Sequence, residues 1–386
     1  MILNSTQSRF SGFAFIFFLI LIGTGCGQQS DTSMTASSET EYNRAGDVLR
    51  YDGEEHIRNI KQLTFGGNNA EAYWSSNDEA LVFQSDWDRI NDQGCDQIFV
   101  MNPSAGTITG QGDDYTLIST GMGRTTCSFF MPGDQEIVFA STHEAATECP
   151  APVMFSADRY VWPVYDGYDI YVAGVDGSDI KPLISGPGYD AEATVSPDGK
   201  YIIFTSTRTG DLELWRYEIA SGALLQLTDG LGYDGGAFFS HDSQKIVWRA
   251  SRPEGEAADV YKALLADGLV EPAELNIFVA DIDGSNVVQV TDLPGANWAP
   301  YFHPDDDRIL FTSNHHSIDR GGREFDLFLI GVDGSDMKRI THSGTFDGFP
   351  MFSYDGSKLV FASNRNEERL ESRDTNVFVA DWVEMP

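Results

Sequence analysis

Basic residues are scarce in this sequence. Lys and Arg number 25 against 59 Asp and Glu, a formal net charge of −34 at neutral pH. A surface so acidic repels nucleic acid and anionic lipid headgroups, so nucleic acid is excluded as a partner and a membrane is reached only through an anchor. What remains is plain solubility, a saline environment, or the binding of cations or basic ligands. Cysteine is also scarce, at 4 residues with no C-x-x-C spacing, so a cysteine-rich metal centre has no support. No Gly-x-Ser-x-Gly occurs, which argues against a hydrolase nucleophile elbow. A membrane-spanning helix is missing as well: the apolar and small residues from Phe10 to Ile22 are too few and stop abruptly at Gly23-Thr24-Gly25.

That first stretch has another reading. Arg9, the apolar run and Gly23-Thr24-Gly25-Cys26 form a basic start, an apolar centre and a small-residue cut site. The segment resembles a bacterial lipoprotein signal, which implies removal of residues 1–25 and lipidation of Cys26; an ordinary signal peptide with a chance cysteine is the alternative. Residues 26–57 are mostly polar and rich in Ser and Thr, without apolar period, and are expected to be a flexible tether.

The rest of the chain repeats. Ser196-Pro197-Asp198-Gly199 is a turn signal, and related tetrads begin at Ser75, Met131, Ser240, His303 and Ser353. Each is followed by an apolar, β-rich run such as Ile202-Ile203-Phe204, then by a second run such as Glu213-Leu214-Trp215. Asp176-Gly177, Ser221-Gly222, Asp283-Gly284 and Asp333-Gly334 then mark hairpins, and a short strand of the type Gln226-Leu227-Thr228 closes the unit. Six copies of four short strands predict an all-β, six-bladed β-propeller of antiparallel blades over residues 58–386. "IKQLT" at 60–64 is a final strand without a unit, and the last copy lacks one. Residues 58–64 are therefore expected to complete the last blade and close the ring.

"VSPDGKYIIFTSTRTGDLELW" and "FSYDGSKLVFASNR" resemble the PD40 (WD40-like) repeats of the TolB-type six-bladed propellers over about residues 58–382. The resemblance implies a protein-interaction platform in the periplasm. The separate N-terminal α/β domain of that family has no counterpart in the short stretch before the first repeat.

Alignment on the turns yields two rings on the opposite face. Asn69, Thr125, Asp190, Asp234, Asn297 and Asp347 begin the innermost strands and are expected at the mouth of the central channel. Trp87, His143, Arg208, Arg252, His315 and Arg365 follow the second strands, with His316 and Trp298 near them. Salt bridges bracing the blades are the plain expectation for the Asp and Arg positions. Asp190, Asp234 and Asp347 would repel one another unless protonated or bound to a cation, so a structural calcium ion in the channel, held by them with Asn69 and Asn297, is a second expectation; Glu71 and Glu192, two positions further in, are further candidates for binding a cation. His143, His315 and His316 are the candidates for a transition metal, as in a metal-dependent uronate lyase. Insertions at 142–168, 253–275, 314–325 and 364–376 decorate the same face, the second containing a helix pattern with Val260, Leu264 and Leu265 on one side and Gly268 as a stop. Cys95, Cys127 and Cys149 fall there too, with Cys95–Cys149 the expected bridge.

Together these features predict a monomeric, lipid-anchored envelope protein of the outer membrane, periplasmic or surface-exposed, that binds a protein or glycan without catalysis or a required cofactor. A polysaccharide lyase is the alternative.

Overall fold

A computed structural model of the protein describes residues 47–151, 153, 155–156, 159–367 and 374–385. Six four-stranded antiparallel sheets form the blades of a propeller. Blade one comprises Asn69–Trp74, Leu81–Ser85, Gln97–Met101 and Tyr115–Leu117. Blades two to five begin at Thr125–Phe130, Asp190–Val195, Asp234–Phe239 and Asn297–Phe302. Blade six comprises Asp347–Phe352, Lys358–Ser363, Asn376–Trp382 and, from the other end of the chain, Ile57–Gln62, which pairs with Asn376–Trp382 and puts Ile57 opposite Trp382. The ring closes in the sheet that the orphan strand predicted.

The second strands explain the apolar runs. Leu81, Val82 and Phe83 of blade one are fully buried, as are Ile202, Ile203 and Phe204 of blade three. A strand covered on both faces by neighbouring blades reads as a continuous apolar run rather than an alternating one. In five blades the aromatic at the end of the run packs on one in the third strand, as Phe83 on Phe99 and Phe361 on Phe378, and in blade three Arg208 lies over both Phe204 and Trp215.

The turns between first and second strands interlock around the ring. Asp78, Asp134, Ser243 and Asp306 occupy equivalent left-handed positions, with φ of 60, 55, 60 and 58°. Asp134 accepts the Ser76 and Asn77 backbone N–H groups of the preceding blade at 2.8 and 3.1 Å, and the Ser76 hydroxyl at 2.6 Å. Asp306 accepts those of His241 and Asp242, and Asp78 accepts those of Tyr354 and Asp355, linking blade one to blade six. Where the preceding turn carries Pro132 or Pro304 there is no N–H to accept. The facing residue is then Gly199 or Gly356, whose added Cβ would stand 2.7 or 3.1 Å from the proline ring.

Residues 47–56, expected as tether, lie against blade six. Leu49 is 5% exposed and Glu54 1%. Asp47 accepts the backbone N–H groups of Asn59 and Ile60, and Glu54 is ion-paired with Arg365 at 3.0 Å. The signal segment, Cys26 and the rest of the expected tether lie outside the described residues.

Candidate functional site

Each innermost strand carries a β-bulge at the same level, and each bulge holds one residue in the left-handed region. These residues are Glu71, Cys127, Glu192, Gly236, Ala299 and Phe349, with φ of 50, 44, 59, 58, 46 and 52°. Five of them are not glycine, and such strain persists only where the surrounding structure over-determines it. Glu71, Cys127, Gly236 and Phe349 keep partial solvent access at the heart of the ring. Ionisable groups come from blades one to three, and apolar or side-chain-free positions from blades four to six.

On the polar side Glu192 is 8% exposed and Arg249 6%. Glu192 accepts the Thr205 and Tyr233 hydroxyls at 2.6 Å each and the Gly236 backbone N–H at 2.8 Å, and it pairs with Arg249. Burial raises its carboxyl, but Arg249 and these donors outweigh burial and hold it below the ordinary range. Arg249 projects from the second strand of blade four. It reaches inward because Gly235 and Gly236 leave the first strand without side chains: its Nη1 lies 1.7 Å from where a Cβ on Gly236 would stand. Its guanidinium carbon lies 4.8 and 5.5 Å from the ring centroids of Tyr233 and Trp162, it donates to the Tyr233 hydroxyl, and its buried Nε–H has no partner among the described residues.

Glu71 differs from Glu192. Protein surrounds it although solvent still touches it, as in a narrow channel. Its hydrogen-bond partner is the Cys127 thiol, and among the described residues no cation is paired with it. Burial pushes its carboxyl up to about 7, with Glu192 adding repulsion and Cys127 and Arg249 opposing. Burial and then Glu71 push the Cys127 thiol well above its ordinary value, so that thiol stays protonated at neutral pH.

Below this level aromatics close the axis. Phe238 of blade four lies 5.4 Å from Tyr73 and 6.3 Å from Phe129, in blades one and two, and 5.2 Å from Tyr301. Above it two insertions meet. Trp162–Pro163 from blade two pairs with Leu269–Val270 from blade four, beside the helix Glu256–Ala266. The sequence pattern placed this helix. Arg159 and Glu271 form an ion pair at 2.8 Å across the two insertions, and Trp162 sits 5.7 Å from Trp298. Cys95 and Cys149 are disulfide-bonded, their Cα atoms 5.9 Å apart, and Cys127 is free.

The residues expected to begin the innermost strands do so, but they are buried rather than open at the channel mouth. Asn69, Asp190, Asp234, Asn297 and Asp347 are at most 1% exposed. Asp190 pairs with Arg208 at 2.8 Å, Asp234 with Arg252 at 2.7 Å and Asp347 with Arg365 at 3.0 Å. Each carboxylate turns to the arginine of its own blade, so the three do not converge on a cation as expected. Among the described residues no three His, Cys, Asp or Glu side chains gather as a metal site.

The histidines are the same brace in another form. His143 and His315 place Nδ1 2.8 Å from Ser141 and Ser313, where Arg208 places Nε 2.8 Å from Ser206. His143 packs against Tyr171 at 4.3 Å and His315 against Phe328 at 4.5 Å, both tilted, where Arg252 lies over Phe278 at 5.1 Å. Burial lowers both imidazoles. His316 Nε2 lies 2.7 Å from Asp326 within blade five, so the three histidines form no common site. Trp87 and Trp298, expected at the rim, are 6 and 7% exposed; Trp298 packs on Phe349 at 4.8 Å, and a Cβ on Gly66 or Gly67 would strike Trp87.

The sequence pointed to Glu71 and Glu192 as helpers in cation binding and did not single out Arg249, Trp162 or Phe349. The available signal was Gly235-Gly236 inside a strand, which marks a close approach.

The sequence profile described as "TolB beta propeller domain" (PD40) matches residues 268–369. An uncharacterised protein of Agrobacterium fabrum, Atu1656, is 31% identical over 149 residues, 37% of this chain and 46% of that protein. The matched stretch thus spans about half the length of that curated relative. The structure of TolB from Acinetobacter baumannii is similar with a TM-score of 0.51 and 18% identity, over 72% of this chain and 55% of that one. That of a putative TolB from Agrobacterium tumefaciens has a TM-score of 0.51 and 16% identity, over 82% and 91%. At these identities the structural likeness shows the fold.

Proposed function

We propose that this chain is a non-catalytic binding platform of the cell envelope, held to a membrane by lipid on Cys26 and presenting the decorated face to a protein partner. The observation that carries the reading is the lobe built by the blade-two and blade-four insertions over one end of a channel whose other end is closed. Loops joined to one another on a rigid scaffold make a continuous surface, with Val153, Phe155 and Tyr160 exposed at 36, 64 and 49%. Interfaces favour such aromatic anchors. The similarity to TolB proteins supports an envelope setting.

Capture from envelope extracts tests it, with the mature lipoprotein as bait beside a double variant, Phe155→Ser with Tyr160→Ser. A protein retained by the wild type and lost with the variant supports the reading. Retention of glycan alone, or equal capture by both baits, overturns it. Incorporation of labelled palmitate that Cys26→Ala abolishes tests the anchor.

A further inference from the structure

Two polar groups at the ring of bulges are only partly answered by the described residues, Glu71 on a bulge and Arg249 on the strand beside one. Glu71 has no cation, although Glu192 two blades on has Arg249 and three further donors. Arg249 has an unpartnered Nε–H in a residue 94% buried, held between Trp162 and Tyr233. A buried donor left without an acceptor costs free energy, so its persistence needs a reason. Gly235 and Gly236 give that arginine its path inward, Glu71 sits on the blade-one bulge, and Arg249 is close enough to act on its carboxyl. The remaining wall is apolar, with Phe349 beside Glu71 in ring order and Trp298 behind it at 4.8 Å.

We propose that this level of the channel receives an α-ammonium group with its own carbonyl beside it, Glu71 accepting the ammonium and the Arg249 Nε–H donating to the carbonyl oxygen. The inference rests on the platform reading and names a group that the platform grips. One carboxylate bonded to a neutral thiol and without a cation, and one unpaired donor, call for a ligand with the reverse pair. An amine alone leaves Arg249 unanswered, and a carboxylate alone meets the negative charge of Glu71. The acidic balance of the site, two carboxylates against one guanidinium, favours a ligand carrying net positive charge. Phe349 and Trp298 supply an aromatic face on which an ammonium or a small apolar side chain rests. The amino end of a peptide and a free amino acid share this chemistry.

Titration calorimetry of the mature protein with L-alanyl-L-alanine amide, its N-acetyl form and L-alanine tests the proposal. Saturable binding of the amide is expected, weakened at least about tenfold by acetylation and by Glu71→Gln, since a lost charge-assisted hydrogen bond is of that order. Tight binding of L-alanine identifies a free amino acid as the source, and binding of the dipeptide amide alone identifies a peptide end. Equal binding of the acetylated probe, no loss in Glu71→Gln, or no saturable binding of any free amine overturns the inference. The acetylated probe acts on the wild-type protein, so the test survives a variant that misfolds. Failure here with a partner still captured through the lobe leaves the platform reading intact.

Discussion

The guanidinium of Arg249 occupies the space that a side chain on Gly236 would take, its Nη1 1.7 Å from where that Cβ would stand. The two residues sit on adjacent strands of blade four, and one exists in its present form because the other has no side chain. Gly236→Ala would therefore expel Arg249 and strand Glu192 in the interior. Breaking a buried pair costs about 3–5 kcal/mol, and a loss of that size in urea unfolding is expected. Glu192→Gln made in the Gly236→Ala background should recover part of it.

The turn ring predicts a paired exchange. Asp134→Ala removes an acceptor from three donors of blade one and should lower stability by about 1–3 kcal/mol. Gly199→Asp alone should also destabilise, because its side chain meets Pro132 at a left-handed position. Combined with Pro132→Ser, which restores an N–H, the same aspartate should cost less than it does alone. Chemical unfolding of the three variants decides this.

Glu71 predicts a pH dependence with a definite sign. Its folded carboxyl titrates at about 7, above the ordinary 4.5. Below the ordinary value both states are protonated and no penalty exists. As pH rises towards about 7 the unfolded chain ionises first, so the folded state loses stability across that window. The groups acting on Glu71 are Cys127, Glu192, Arg249 and Asp96. Glu71→Gln should be more stabilising at pH 8 than at pH 5, measured by thermal melting at both.

Opening the Cys95–Cys149 bridge should cost about 4 kcal/mol, from the 54-residue separation that it closes. Cys95→Ser with Cys149→Ser should melt lower than wild type, and a reducing agent should lower the wild type towards the variant while leaving the variant unchanged.

Much of this architecture was legible because it is local. A turn tetrad and the apolar run after it lie within ten residues, and six copies in phase announce six blades and the strand left over at 60–64. The helix Glu256–Ala266 was legible for the same reason. The channel wall was not. Strand alternation gives Asp190 and Glu192 one face, as it does Asp347 and Phe349, and only the bulges at Glu192 and Phe349 and the arginine partners of the two aspartates tell them apart. His143 and His315 looked exceptional in one dimension, and only the contact with Ser141 and Ser313 shows that they substitute for arginine. The joining of Trp162–Pro163 to Leu269–Val270 links distant insertions, and no short pattern encodes it.

The closing sheet also sets a timetable. Ile57 lies opposite Trp382, so the ladder that seals the circle joins nearly the first described residues to nearly the last. A ribosome would release the first five blades long before the partner of Ile57–Gln62 exists. Until then the ring is an open arc with an unpaired edge at each end, and contacts this distant in sequence form slowly. A chain of this design closes its circle only once the strand Asn376–Trp382 has been made.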